Sequence, residues 1–234
     1  MEIYLKTLDE YPIEGKPLGR HIEHDEASRN FAWEKQGNPI HSIVHKRHGS
    51  LFNQGQVGSC TGNAGAGACN TEPLFEEEHH TILREAEALG IYEEATRTDN
   101  IPGSYPPDDT GSSGLAVAKV LRRRGFIVGY KHAFSVEEAL DALMVKPWII
   151  GMSWYEGFDT PDADGIITIG GQVRGGHEVV AREYEMLSTS PSPSDVVWFD
   201  NSWGTTWGRS GRFGMRVSTL TTLLAQQGDV TILH

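Results

Sequence analysis

The stretch Gln54-Gly-Gln-Val-Gly-Ser-Cys60 takes its meaning from two distant segments, Gly175-Gly-His177-Glu-Val-Val and Asn201-Ser-Trp-Gly-Thr-Thr-Trp-Gly208. Together they hold a thiol, an imidazole, an amide able to orient the imidazole, and a second amide six residues ahead of the thiol. A fold that uses them jointly must return His177 and Asn201, which lie 117 and 141 residues after Cys60, to one place. The thiolate is the reactive form of cysteine, a neighbouring base generates it, and a third group fixes the base. An amide donor aimed at a developing oxyanion completes such a set. A cysteine taken alone reads as a buried structural thiol. Four role-bearing residues in one chain order, in glycine- and tryptophan-rich contexts, argue for chemistry at Cys60.

The element pattern places these groups on two lobes. From Cys60 to about Leu89 the chain reads as a helix interrupted at Pro73, or as two helices. Ser59-Cys60 at its entry puts the thiol at a helix N-terminus, where the dipole favours thiolate. Gly62, Gly65 and Gly67 are poor helix formers but permit close packing. Cys69 falls inside this small-residue pattern and reads as a buried small hydrophobe. A turn-rich loop over 99–113 leads to a helix from about 113 to 124, with Asp109 or Thr110 as cap and Gly125 as stop. Ser135-Val-Glu-Glu138 is a capping box that opens a helix to about Val145. Strands are expected over 126–130, 147–155, 179–186, 195–200, 211–217 and 230–233. Helices dominate the first half and strands the second. Cys60 therefore belongs to a helical lobe, His177 and Asn201 to a sheet lobe, and a site to the cleft between them.

These motifs resemble those of the papain-like cysteine peptidases, over residues from about 40 to the C-terminus. In that family the His and Asn follow the Cys at roughly 130–150 residues; His177 comes sooner, which implies trimmed loops. The resemblance implies an α+β fold, with a helical left lobe and an antiparallel, β-barrel-like right lobe flanking the active-site cleft. It implies Cys60 as nucleophile, His177 as acid/base, Asn201 as its orienting group and Gln54 as an oxyanion donor. The imidazole and thiol would rest as an ion pair, with Trp203 shielding the Asn–His hydrogen bond. Gly111-Ser112-Ser-Gly looks like the glycine segment that pairs with substrate backbone, so Gly111 and Ser112, with Gly58, Ser59, Gly176 and Trp203, are the expected substrate-binding residues. Val57 stands where relatives carry a disulfide-forming cysteine, and Thr61 replaces an aromatic residue. The implied activity is that of an endopeptidase without cofactor or metal. An amidase, isopeptidase or transpeptidase would need the same thiol, and a peptide-binding scaffold is the third reading.

Residues 1–38 read as a polar, irregular extension, broken by Pro12, Gly15, Pro17, Gly19 and Gly37. This segment is expected to lie as a strap on the peptidase domain of residues 39–234, anchored by Phe31 and Trp33. It either covers the cleft or braces the body. His41, His45 and His48 have helical metal-ligand spacing, but neighbouring apolar residues favour a packing segment. Asp159 to Gly165 lacks a closing Glu and reads as an acidic surface turn, not a calcium loop.

Composition narrows the partners. The 234 residues carry a net charge of −12, which argues against nucleic acid and leaves a peptide or protein as substrate. Arg122-Arg-Arg124 reads as a solvated helix end. Two cysteines, one reserved for chemistry, leave no internal disulfide and fit a reducing compartment. The N-terminus lacks the apolar run of a signal peptide, and no stretch approaches the roughly 20 apolar residues of a membrane span. A cytoplasmic protein is the expectation, with release by lysis still open.

Overall fold

The computed structural model describes residues 3–79 and 81–234. Helix α1 (Cys60–Cys69) is buried along its whole length. Its small residues make this possible. A Cβ on Gly62 would strike the Ala88 carbonyl and lie 2.8 Å from the Tyr92 Cβ, one on Gly65 would strike Val117, and one on Gly67 would lie 3.1 Å from Val180. Helix α1 therefore sits against α2 (Glu85–Thr96) and α3 (Gly114–Arg123) on one side and against the sheet on the other. Glycine's poor helix propensity is offset by this close approach.

The remaining elements form the sheet lobe. Strand β5 (Trp148–Tyr155) is central and pairs antiparallel with β6 (Val173–Glu185) and β9 (Asp229–Leu233). Strands β4 (Tyr130–Ala133), β7 (Val196–Asp200) and β8 (Arg212–Arg216) extend it to the order β4-β9-β5-β6-β7-β8, and the short β3 (Ile43–Val44) pairs with β6. This path is open. The barrel-like lobe expected from sequence is an open antiparallel sheet, because no ladder joins β4 to β8 among the described residues. Trp148, Ile150, Met152 and Trp154 of β5 enter one core with Phe199 and Phe213, whereas Ile149 enters the helical core with Val117 and Val180. Alternate side chains of one strand thus tie the two lobes together. Helices α4 (Val136–Leu143) and α5 (Val217–Ala225) cover the first core, with Ala139, Leu143, Leu220 and Leu223 buried.

Local expectations fare unevenly. The capping box at Ser135 forms, with the Glu138 amide donating to Ser135 Oγ at 3.2 Å. The cap of α3 is Ser113, whose Oγ accepts the Ala116 N–H at 3.0 Å. Asp109 does not cap; its carboxylate accepts the Gly58 N–H at 2.7 Å and the Tyr92 hydroxyl at 2.5 Å, tying the loop before Cys60 to α2. The strand expected over 126–130 begins only at Tyr130, because the turn after Gly125 occupies the preceding residues. Helix α5 follows β8 directly, over residues beyond Val217 for which no element was expected. The acidic turn forms over 162–165, where the Gly165 N–H donates to the Asp162 carbonyl at 2.9 Å, but Asp159 is buried, bonded to Arg174 and accepting from Trp154 Nε1.

Residues 3–38 hold more regular structure than an irregular strap. Strands β1 (Ile3–Lys6) and β2 (Ile22–Asp25) pair with each other, and a 3-10 helix follows over Glu26–Phe31. Trp33 is an anchor, buried with its Nε1 donating to Asp141 at 2.8 Å, but Phe31 is exposed. Leu18, fully buried, is the apolar anchor that sequence reading passed over.

Candidate active site

Cys60 begins α1, and the first-turn amides of a helix have no acceptor within it. The thiol receives the backbone N–H groups of Thr61 and of Glu178, the residue after His177. The helix entry and β6 therefore meet at the sulfur. His177 lies on β6, with its Nε2 2.7 Å from Asn201 Oδ1, at the end of β7. The same Asn201 oxygen accepts the Ser202 N–H at 2.7 Å. An atom that accepts from a backbone amide is the carbonyl oxygen, so the imidazole donates from Nε2 and its Nδ1 lone pair is free. Nδ1 is buried without a hydrogen-bond partner.

Aromatic rings isolate this pair. Trp203 packs on the imidazole at 4.9 Å and 30°, and Trp154 meets it edge-on at 4.8 Å. Trp203 thus lies where shielding was expected. Trp154 was missed, because an apolar strand residue carries no functional mark in sequence. Behind Asn201, Asp200 is held by Arg182 at 2.8 Å and by Arg212 at 3.2 Å, which fixes the strand end. Gln54 is placed by Ser202 from both sides. Its N–H donates to the Ser202 carbonyl, and its Oε1 accepts the Ser202 hydroxyl at 2.6 Å. Nε2 spends one N–H on the Val57 carbonyl at 2.8 Å, leaving the second.

The cleft is filled by the chain's own N-terminal segment. The N–H groups of Gly19 and Arg20 donate to the Gly176 carbonyl at 3.2 and 2.9 Å. On the opposite wall the Ser112 N–H donates to the Gly19 carbonyl, and the His21 N–H to the Ser112 carbonyl, both at 2.8 Å. The segment runs parallel to Ser112. Gly19 crosses Gly58 so closely that a Cβ would strike the Gly58 carbonyl. Leu18 packs on Gly175, and Trp203 Nε1 donates to the Pro17 carbonyl at 3.0 Å. Of the expected substrate-binding residues, Gly58, Gly111, Ser112, Gly176 and Trp203 all contact this segment. Ser59 does not share in it through its hydroxyl, which accepts from Asn63 within α1 at 3.0 Å.

Burial sets the electrostatics of the site. Cys60 and His177 are fully buried. Burial, and after it the Glu178 carboxylate, pushes the Cys60 thiol well above its usual range. Burial lowers the His177 pKa to about 3, against the opposing bond to Asn201. Both shifts favour the neutral forms. The ion pair expected from sequence is disfavoured because the desolvated cleft penalises each charged form. Among the described residues, His48, Glu72 and Glu76 bring ligand atoms within 4.8 Å of one another, a possible metal set that shares no residue with the Cys60 site. His41 and His45 instead bond backbone carbonyls, of Pro39 and Leu143.

A helix carrying a cysteine at its head, packed on an antiparallel sheet that presents His and Asn, is the papain-like cysteine protease fold, and comparison with solved structures places this chain in it. Xylellain, a cysteine protease from Xylella fastidiosa, superposes with a TM-score of 0.72 at 17% identity, covering 95% of this chain and 97% of that one. Digestive procathepsin L 3 of Tenebrio molitor gives 0.63 at 14% identity, over 88% and 74%. The bromelain protease of Ananas comosus, in complex with the E64 inhibitor, gives 0.58 at 15%, over 79% and 93%. No family model and no curated protein matches the sequence. Among the described residues, no helix is long and apolar enough to cross a membrane.

Proposed function

We propose that this chain is a cysteine-type endopeptidase, with Cys60 as nucleophile, His177 as acid/base, Asn201 as its orienting group and Gln54 as oxyanion donor. The carrying observation is the His177 tautomer. Asn201 holds the proton on Nε2, which leaves the basic Nδ1 for a thiol at the head of α1. With the cleft open, water lowers the penalty on charge, and Nδ1 takes the Cys60 proton. The thiolate then adds to the substrate carbonyl. The oxyanion accepts hydrogen bonds from Gln54 Nε2 and the Cys60 backbone N–H. His177 gives its proton to the leaving amine, then activates water to hydrolyse the thioester.

Residues 1–38 act in this reading as an inhibitory strap on the domain of residues 39–234. A main chain paired to Gly176 and Ser112 supports a peptide as the natural occupant of the cleft, and favours peptidase over the amidase reading. The test is hydrolysis of fluorogenic peptides and of purified cell wall by the full chain, by Cys60→Ala and by His177→Ala. Peptide turnover abolished in both variants, with the fold retained, is expected, since members of one catalytic unit fail together. Full activity in either variant contradicts the assignment, and turnover of cell wall alone would favour the amidase reading.

A further inference from the structure

Arg20 belongs to the strap, yet its side chain is fully buried in the body of the protein. Its Nη2 donates to the Gln227 carbonyl at 3.0 Å and pairs with the Asp229 carboxylate. The recess that receives it is floored by Gly151 of β5. A Cβ there would strike Arg20 Nε and would lie 2.5 Å from Asp229 Oδ1 and 2.8 Å from Glu178 Oε2. A Cβ on Gly114 would lie 2.5 Å from Glu178 Oε1. Two glycines thus preserve the space in which the guanidinium pairs with Asp229 and the unpartnered Glu178 carboxyl lies beside them.

Glu178 directly follows His177 and is 1% exposed, yet neither of its oxygens has a hydrogen-bond partner. Nε and Nη1 of Arg20 are likewise unpartnered. Burial, then the Asp229 charge, pushes the Glu178 carboxyl well above its ordinary range, and Arg20 pulls it back. A purely structural anchor for the strap would be served as well by an apolar side chain, without the desolvation of two acids. The acids belong to the body, at the start of β9 and beside the candidate base. Once the strap withdraws, they face the cleft with no cation.

We infer that the Glu178–Asp229 recess is a substrate pocket that selects an arginine side chain of the peptide, with Arg20 as its built-in surrogate. The inference rests on the peptidase reading and names its substrate class. Arginine fits better than lysine, because one planar guanidinium meets the Asp229 carboxylate and the Gln227 carbonyl at once and keeps further N–H groups for the Glu178 carboxyl beside it.

The test separates binding from turnover. A full-length Cys60→Ala/Arg20→Ala variant is titrated with a fluorescent peptide copying residues 15–23, and with copies carrying leucine or glutamate in place of the arginine. The arginine peptide is expected to bind about tenfold or more tighter than the leucine one, as for a charge-assisted contact. Adding Glu178→Gln or Asp229→Asn should cut that preference severalfold, and adding both should remove it. These near-isosteric changes are checked by thermal melts, and Asp229→Asn carries the test if Glu178→Gln does not fold. Equal binding of the leucine peptide, a preference that survives both neutralisations, or no binding by any peptide would overturn the pocket. The same sequences as fluorogenic substrates of Arg20→Ala, with Cys60 intact, tell the two readings apart. Turnover without arginine preference removes the pocket and leaves catalysis. Selective binding without turnover removes catalysis and leaves the pocket.

Discussion

The His177 imidazole has one hydrogen bond, two tryptophan neighbours and no exposed surface, and each sets a measurable property. The bond to Asn201 fixes the tautomer, and the rings of Trp154 and Trp203 keep solvent from competing for it. Burial lowers its pKa to about 3, so the folded chain refuses a proton that the unfolded chain accepts near 6.5. Stability from this group is therefore complete above the unfolded value and is lost as pH falls from about 6.5 towards 3. The loss by pH 5 is at most about 2 kcal/mol. Chemical denaturation of wild type and His177→Gln at pH 7 and pH 5 should show a larger acid loss in the wild type; equal losses would mean that the imidazole is not buried neutral. Gln54 contributes at the same scale. Gln54→Ala should keep peptide binding and lose about 10²–10³ in turnover. An unchanged rate in steady-state assays would leave Gln54 as a partner of Ser202 only.

Helix α1 is the element on which the site depends, because its head carries the thiol and its glycines set how closely it approaches α2. Gly→Ala within a helix ordinarily gains about 1 kcal/mol. At Gly62 the added methyl would collide with the Ala88 carbonyl, and the expected result is a loss of about 1–3 kcal/mol. A thermal melt of Gly62→Ala that matches or exceeds wild type would show that α1 is not packed so closely. This helix also marks how far the sequence was legible. Cys60, His177, Asn201 and Gln54 stand out because their side-chain chemistry and glycine-rich settings recur in one order. The cap at Ser135 follows from a local pattern. Trp154, Leu18 and Ser113 did not stand out, since their roles come from what lies opposite them in space. Helix α5 was hidden because Val217, Leu220 and Leu223 continue the apolar texture of β8. The acidic character of the recess was also invisible: Glu178 and Asp229 are separated by 51 residues and meet only through pairing of β5 with both β6 and β9.

At the scale of the whole molecule, residues 17–21 join the helical wall at Ser112 to the sheet wall at Gly176 across the cleft. One segment thereby bonds to both walls of the cleft. Leu18 is its apolar anchor, and loss of a buried leucine costs about 2–5 kcal/mol. Leu18→Glu should accordingly shift the strap towards the open state and accelerate Cys60 alkylation by about 10- to 100-fold or more. A lowered melting point with no change in labelling rate would make the segment a brace only. The central claim is that Cys60, activated by His177, is the nucleophile beneath this strap. Its most direct measurement is the stoichiometry and position of labelling by a thiol-reactive epoxide, mapped by mass spectrometry while peptide hydrolysis is followed in the same sample. The account predicts one label per chain, on Cys60, with activity falling in step, faster labelling in Leu18→Glu and none of that acceleration in Leu18→Glu/His177→Ala. Hydrolysis that persists with Cys60 fully labelled would contradict it.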